Sequence, residues 1–176
     1  MRRIVYGGAT SLDMYLARRD DAVDWLRWSD ELADVMTESW SRFDTVLMGR
    51  RTYEVAARSG QAAGYPGVAN YVFSRTLLRA PHEGVELVRS DPAPFVAGLK
   101  EQPGRDICLM GGGDLAKSFF EADLIDEVGF NVHPLLLGTG VPAFHALSRQ
   151  VDLDLTSCRQ FSNGCVLLSY TVRHAS

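Results

Sequence analysis

Short apolar runs, most of them closed by glycine or serine, recur along the chain and alternate with amphipathic stretches. RIVYG (3–7), VLMG (46–49), NYVFS (70–74), VELV (85–88) and ICLMG (107–111) are too uniformly apolar for strands with one wet face, and read as strands covered on both faces. The clearest helical pattern runs over 29–43, where Leu32, Val35, Met36, Trp40 and Phe43 fall on one stripe. Ser29 is placed to cap it, with Asp30 and Glu31 in the first turn. Shorter helices are expected over 50–58, 92–100 and 114–121, each set between strands. The resulting order, β-α-β-α-β-β-α-β-α-β, predicts an α/β fold with a mostly parallel sheet and helices on both faces.

The last third changes character. VGFNVHP (128–134), LDLTSCRQF (153–161) and CVLLSYTVR (165–173) are strand-like, and the last two flank Ser162-Asn163-Gly164. Asn-Gly between such runs predicts an antiparallel hairpin. With CVLLSYTVR as its outer strand, that hairpin leaves an apolar sheet edge in water and calls for a homodimer. The stretch 59–69 is the most loop-like and is read as joining two elements of one domain, residues 1–176.

Composition narrows the function classes. With 46% apolar and 23% charged residues the chain is neither disordered nor fibrous. Eighteen Lys+Arg against 22 Asp+Glu give a net charge of −4, which argues against a nucleic-acid partner and requires any anion site to be local. Three cysteines, Cys108, Cys158 and Cys165, without a CxxC spacing argue for a reducing compartment. Too few apolar residues precede Gly7 for a signal segment, and no apolar run approaches membrane-spanning length, so a cytoplasmic protein without a membrane partner is expected. The four histidines are scattered and no metal site is expected; with no G-x-S-x-G, and the cysteines in strand-like runs, hydrolase chemistry is discarded.

Candidate chemistry gathers at strand-to-helix junctions. Met48-Gly49-Arg50-Arg51-Thr52 and Met110-Gly111-Gly112-Gly113-Asp114 combine glycines, which let a backbone approach an anion, with a helix start whose N–H groups are unpaired. Two arginines at a helix start oppose its dipole unless an anion sits there, although a solvated basic turn is the plainer alternative. Ser74-Arg75-Thr76 adds hydroxyls and a third guanidinium at another strand end. Gly111, Gly113 and Ala116 form G-x-G-x-x-A with Asp126 or Glu127 near the later acidic position, but the motif starts too late for two mononucleotide halves. Three such strand ends are consistent with one dinucleotide lying across the C-terminal edge of the sheet.

These pieces, in their order, resemble the dihydrofolate reductase superfamily, in the branch of the reductase domain of bacterial riboflavin biosynthesis. The matching stretches are SLDMYLA (11–17), VLMGRRTYE (46–54), VFSRT (72–76), GGGDLAKSFFEADLIDEV (111–128) and PLLLGTGVPAF (134–144), which together reach across nearly the whole chain. The resemblance implies a sheet of about eight strands and NADPH as cofactor. It implies that Gly49, Arg50, Arg51 and Thr52 open a helix against the cofactor phosphates. Ser74 and Arg75 are implied at the adenosine end and its 2′-phosphate, while Gly111, Gly112 and Gly113, with Leu115 behind, pass the pyrophosphate and nicotinamide side. Met14 replaces a glycine usual in the SLDGY-like stretch, so the local turn is expected to differ.

Asp13 is the carboxylate nearest the implied nicotinamide and the candidate catalytic group; its plainer reading is a cap for the following turn. Leu12, Trp25, Trp28 and Tyr53 are candidates to line a cleft for a flat heteroaromatic substrate, the tryptophans alternatively being ordinary core. On a helical wheel Asp30 and Asp34 lie nearly opposite the apolar stripe, so neither is aimed as the pterin-binding acid of dihydrofolate reductases. Met110 stands where the riboflavin-type enzymes tend to carry glutamate. The resemblance thus implies an NADPH-dependent reductase of a pyrimidine- or pteridine-like substrate, ranked first as a 5-amino-6-(5-phosphoribosylamino)uracil reductase. A dihydrofolate reductase, a non-catalytic NADPH-binding module and a Rossmann-type NAD protein remain as alternatives.

Overall fold

The computed structural model describes residues 1–58, 65–79 and 82–174, so only 65–69 of the expected loop over 59–69 falls within it. In chain order the elements are β1 (Ile4–Ser11), β2 (Tyr15–Ala17), α1 (Asp30–Trp40), β3 (Phe43–Gly49), α2 (Arg50–Arg58), β4 (Ala69–Phe73) and β5 (Val85–Val88). They continue with α3 (Pro92–Glu101), β6 (Asp106–Leu109), α4 (Gly113–Glu121), β7 (Glu127–His133), β8 (Val141–Pro142), β9 (Leu153–Gln160) and β10 (Val166–Val172).

Eight strands form one sheet in the order β5-β4-β3-β6-β1-β7-β10-β9. Neighbours from β5 to β7 run parallel, and β10 runs antiparallel to both β7 and β9. Taking the parallel strands alone and numbering them along the chain, their spatial order is 4-3-2-5-1-6, which excludes the Rossmann order 3-2-1-4-5-6. The central parallel strands are buried on both faces, as their apolar runs require. Leu47 packs with Ile4, Leu109 and Phe130 against Val96, Leu99 and Phe119 of α3 and α4. Its neighbours Val46 and Met48 turn the other way, to Val72, Cys108 and Tyr53 of α2.

Two expectations are corrected and a third feature is added. The first helix ends at Trp40, and Phe43 opens β3. Its stripe is divided: Leu32 packs with Phe161 and Cys165, whereas Trp40 stacks on Tyr65 with ring centroids 4.8 Å apart. Ser29 caps it as expected, its hydroxyl accepting from the Leu32 N–H at 3.3 Å. Second, the outer strand of the terminal hairpin is LDLTSCRQ (β9) and not CVLLSYTVR. The more apolar segment takes the place with two strand neighbours, and β9 is exposed along its whole length. The hairpin closes through Phe161 and Cys165 around a three-residue turn with Gly164 at φ 85°. Third, β2 and β8, which pair with each other, escape the sequence pattern because three and two residues show no periodicity.

Candidate active site

Because β3, β4 and β5 are parallel, their C-terminal ends share one edge, and α2, α3 and α4 start beside it. There they enclose a cleft of about 420 Å³. Of the residues expected at the cofactor, Gly49, Arg50, Arg51, Thr52, Ser74, Arg75, Gly112 and Leu115 line it. The two glycine junctions meet at its floor: a Cβ on Gly112 would lie 3.8 Å from the Gly49 backbone, and one on Gly111 would lie 3.8 Å from Thr52 Oγ1. Gly111 and Gly112 hold φ 85° and 93°, a region where L side chains are strained. Gly112 caps α4 without a side-chain bond, so the first N–H groups of that helix stay open toward an anion. Gly113 faces away from the cleft, its missing Cβ making room for His145 and the Pro142 carbonyl.

The three arginines differ in what holds them. Arg50 donates to Thr76 Oγ1 at 3.3 Å and sits 3.8 Å from Glu54. Arg51 is clamped by the loop before α1, donating to the Asp21 carboxylate and, at 3.1 Å, to the Arg19 carbonyl. Arg75 is exposed and makes no hydrogen bond or ion pair with another described residue. The sequence reading missed Arg89 and Ser90, which follow β5 and line the same cleft. The signal was present, since VELVRS repeats the pattern of an apolar run followed by arginine and a hydroxyl. Arg89 donates to the Leu77 carbonyl at 2.8 Å and also to the Leu78 carbonyl, fastening the turn that follows Ser74-Arg75-Thr76.

Asp13 caps a loop. Its carboxylate accepts from the Leu137 N–H at 3.1 Å and the Gly138 N–H at 2.8 Å. Burial opposes ionisation here, but hydrogen bonds from Ser11, Leu137 and Gly138 outweigh it and hold the group below the usual carboxylate range. Next to it, Met14 keeps the left-handed turn that a glycine would take, at φ 62°. Among the substrate candidates, Leu12 and Trp28 are exposed, while Trp25 and Tyr53 are buried. Tyr53 belongs to the core beneath α2 and its hydroxyl meets His82 Nδ1.

Trp25 packs edge-on against His133, with ring centroids 5.3 Å apart. The Arg27 N–H donates to His133 Nδ1 at 3.0 Å, which places the proton of the neutral ring on Nε2; the neighbouring Asn131 side-chain amide must then turn its oxygen, otherwise buried without a partner, to accept that proton. Burial, with Arg27 adding to it, lowers the His133 pKa and keeps the ring neutral. Asp30 and Asp34 are exposed on α1, as the wheel requires. Among the described residues no group of His, Cys, Asp or Glu could hold a metal ion, and no helix is long and apolar enough to cross a membrane.

Known proteins bear on this architecture. The chain is 32% identical over 167 residues to the uncharacterized protein YwjB of Bacillus subtilis (strain 168), covering 94% of this chain and 96% of that one. A solved structure from Shewanella sp. PV-4, described as that of a "putative riboflavin biosynthesis protein", aligns with TM-score 0.84 at 26% identity over 99% of this chain and 100% of that one. A Thermotoga maritima protein described as a diaminohydroxyphosphoribosylaminopyrimidine deaminase/5-amino-6-(5-phosphoribosylamino)uracil reductase aligns with TM-score 0.71 at 18% identity. That alignment covers 99% of this chain but 57% of the Thermotoga one, and it shows the shared fold. Residues 2–167 match the model of the RibD C-terminal domain, and the chain belongs to that family.

Proposed function

We propose that the protein is an NADPH-dependent reductase acting on a pyrimidine- or pteridine-like substrate, of the 5-amino-6-(5-phosphoribosylamino)uracil reductase type. The observation that carries this reading is the convergence of the arginine- and glycine-bearing strand ends on one cleft. The family, and the reductase named in the description of the Thermotoga neighbour, support it. Bound NADPH supplies the hydride, and the chain's own residues bind and orient it. The open N–H groups of α4, Gly49 and Thr52 suit the pyrophosphate, and Ser74 with Arg75, which has no partner among the described residues, suits a 2′-phosphate at the adenosine end. Glycines at 111 and 112 let the backbone reach the cofactor closely. Asp13, occupied by two loop N–H groups, serves to shape the neighbouring loop. Because the Asp13 carboxylate is taken up by two loop N–H groups, a binding module without turnover is the second reading.

Quenching of tryptophan fluorescence by NADPH and NADH tests the cofactor assignment. Charge-assisted bonds contribute about 1.5–3 kcal/mol, so Arg75→Ala is expected to weaken NADPH binding about tenfold to a hundredfold. NADH binding should hardly change; equal losses for both cofactors refute the 2′-phosphate assignment. NADPH oxidation across a panel of ribosylaminopyrimidines and pterins then separates the reductase from the binding module.

A further inference from the structure

We infer that Asp21 is a positioning residue for the cofactor, acting through Arg51 by fixing which edge of that guanidinium the cleft presents to a phosphate. The inference rests on reading the cleft as the cofactor site. Asp21 lies in the loop between β2 and α1, and that loop contributes no residue to the cleft lining. Its carboxylate accepts from Arg51 Nε, and Arg58 Nη2 stands 4.0 Å from its other oxygen. Arg51 Nη2 donates to the Arg19 carbonyl at 3.1 Å. The Arg19 guanidinium is itself tied to Thr139 Oγ1 at 2.5 Å, so the loop is held from a second side.

A guanidinium carries five N–H donors in a planar fork. Here the loop takes one on Nε and one on Nη2, which leaves the edge formed by Nη1 and the second Nη2 proton. That outer edge is the one a phosphate takes bidentately. Arg51 lines the cleft while so clamped, although its side chain is 54% exposed and would otherwise sample many rotamers. Arg75 has no comparable anchor among the described residues.

The carboxylate has two opposed effects on an incoming anion: it orients Arg51, and its charge repels. Substitutions at φ 69° separate them. Asparagine keeps an acceptor oxygen and loses the charge, glycine loses both, and both residues accept a left-handed backbone. NADPH titrations of the wild type, Asp21→Asn and Asp21→Gly, each also in an Arg51→Ala background, provide the test. Asp21→Asn should stay within about twofold of the wild type, and Asp21→Gly should bind about fivefold to tenfold more weakly than Asp21→Asn. In the Arg51→Ala background the two should bind alike.

Equal shifts for Asn and Gly would mean that Asp21 acts by charge alone, and a Gly deficit that persists without Arg51 would mean that it only shapes the loop. Either result overturns the positioning role while leaving the cofactor reading intact. A wild type that binds no NADPH overturns the cofactor reading and this inference with it.

Discussion

Met14 offers a direct test of the backbone argument, because the structure gives an L-residue with a long side chain a conformation suited to glycine. At φ 62° it is held by three bonds: its N–H donates to the Ser11 carbonyl at 2.9 Å, Tyr15 N–H donates to Ser11 Oγ at 3.0 Å, and its carbonyl accepts from Ala143 N–H at 2.9 Å. The turn is therefore set by its surroundings and persists whichever residue fills it. Met14→Ala and Met14→Gly both remove the thioether side chain, which is half-buried against the core of Ile4 and Tyr6. That common loss cancels in the comparison between them. A left-handed L-residue is strained by about 1–2 kcal/mol, and glycine's extra backbone freedom in the unfolded chain gives back about 0.5–1 kcal/mol. Met14→Gly should thus be more stable than Met14→Ala by up to about 1.5 kcal/mol, or up to about 3–6 °C in Tm for a chain of this size. Ordinarily alanine is the more stable of the two. Urea denaturation with matched slopes gives the difference, and an alanine variant equal to or more stable than the glycine variant refutes the reasoning.

Further outcomes follow from other parts of the molecule. Gly113→Ala places a Cβ 2.5 Å from His145 Cδ2 and 2.8 Å from the Pro142 carbonyl. The histidine can swing aside but the backbone cannot, so a loss of about 1–3 kcal/mol is expected by calorimetry, and an unchanged Tm contradicts it. Burial opposes ionisation of Glu127, but hydrogen bonds from Arg42 and Arg3 outweigh it and lower its pKa, as the loop N–H groups help to do for Asp13. Folded carboxylates with lowered pKa stabilise above the ordinary value of about 4 and lose that contribution as pH falls through the folded one. His133, also lowered, contributes fully above about 6.5 and progressively less below it. Urea midpoints should therefore fall in two stages on acidification, and a midpoint flat from pH 7 to 3 contradicts both assignments. Dihydrofolate should be reduced poorly, since Asp30 and Asp34 are exposed; turnover of about 10 per second, abolished by Asp34→Asn, would show otherwise. A homodimer is proposed at the β9 edge, where Leu155 is 58% exposed, and sedimentation as a monomer at micromolar concentration removes it.

How much of this was legible in the sequence depended on the range of the interaction. The doubly buried strands announced themselves, since no polar alternation interrupts VLMG or ICLM, and Leu47 indeed packs on the opposite face from Val46 and Met48. The phase of α1 was legible for the same reason: one apolar stripe leaves Asp30 and Asp34 on the wet side whatever the partner. Its end was not, because Phe43 satisfies the helical period and also begins a strand, and the wheel cannot tell which neighbour claims it. The order within the terminal hairpin was misjudged because the turn signal fixes pairing but says nothing about which strand meets β7. Burial decided that, placing VLLSYTV inside and LDLTSCRQ at the edge.

At the site, sequence proximity to a strand end picked out many of the residues that line the cleft, though not Arg89 or Ser90, and did not show what else holds them. Arg50, Arg51 and Arg75 look equivalent as text, each a guanidinium after an apolar run. The fold distinguishes them through partners far along the chain: Arg51 is tied to Asp21, 30 residues away, whereas Arg75 is left without a partner among the described residues. A guanidinium already clamped on one edge loses little freedom when a phosphate arrives, while a free one must be ordered by the ligand itself. Binding by the first is therefore governed by geometry and by the second mainly by charge. That difference predicts which substitutions are forgiving: lysine, a point charge without a fork, should serve at position 75 far better than at position 51. Comparing NADPH affinities of Arg75→Lys and Arg51→Lys measures it, and equal penalties would mean that the Asp21 clamp does not govern how Arg51 is used.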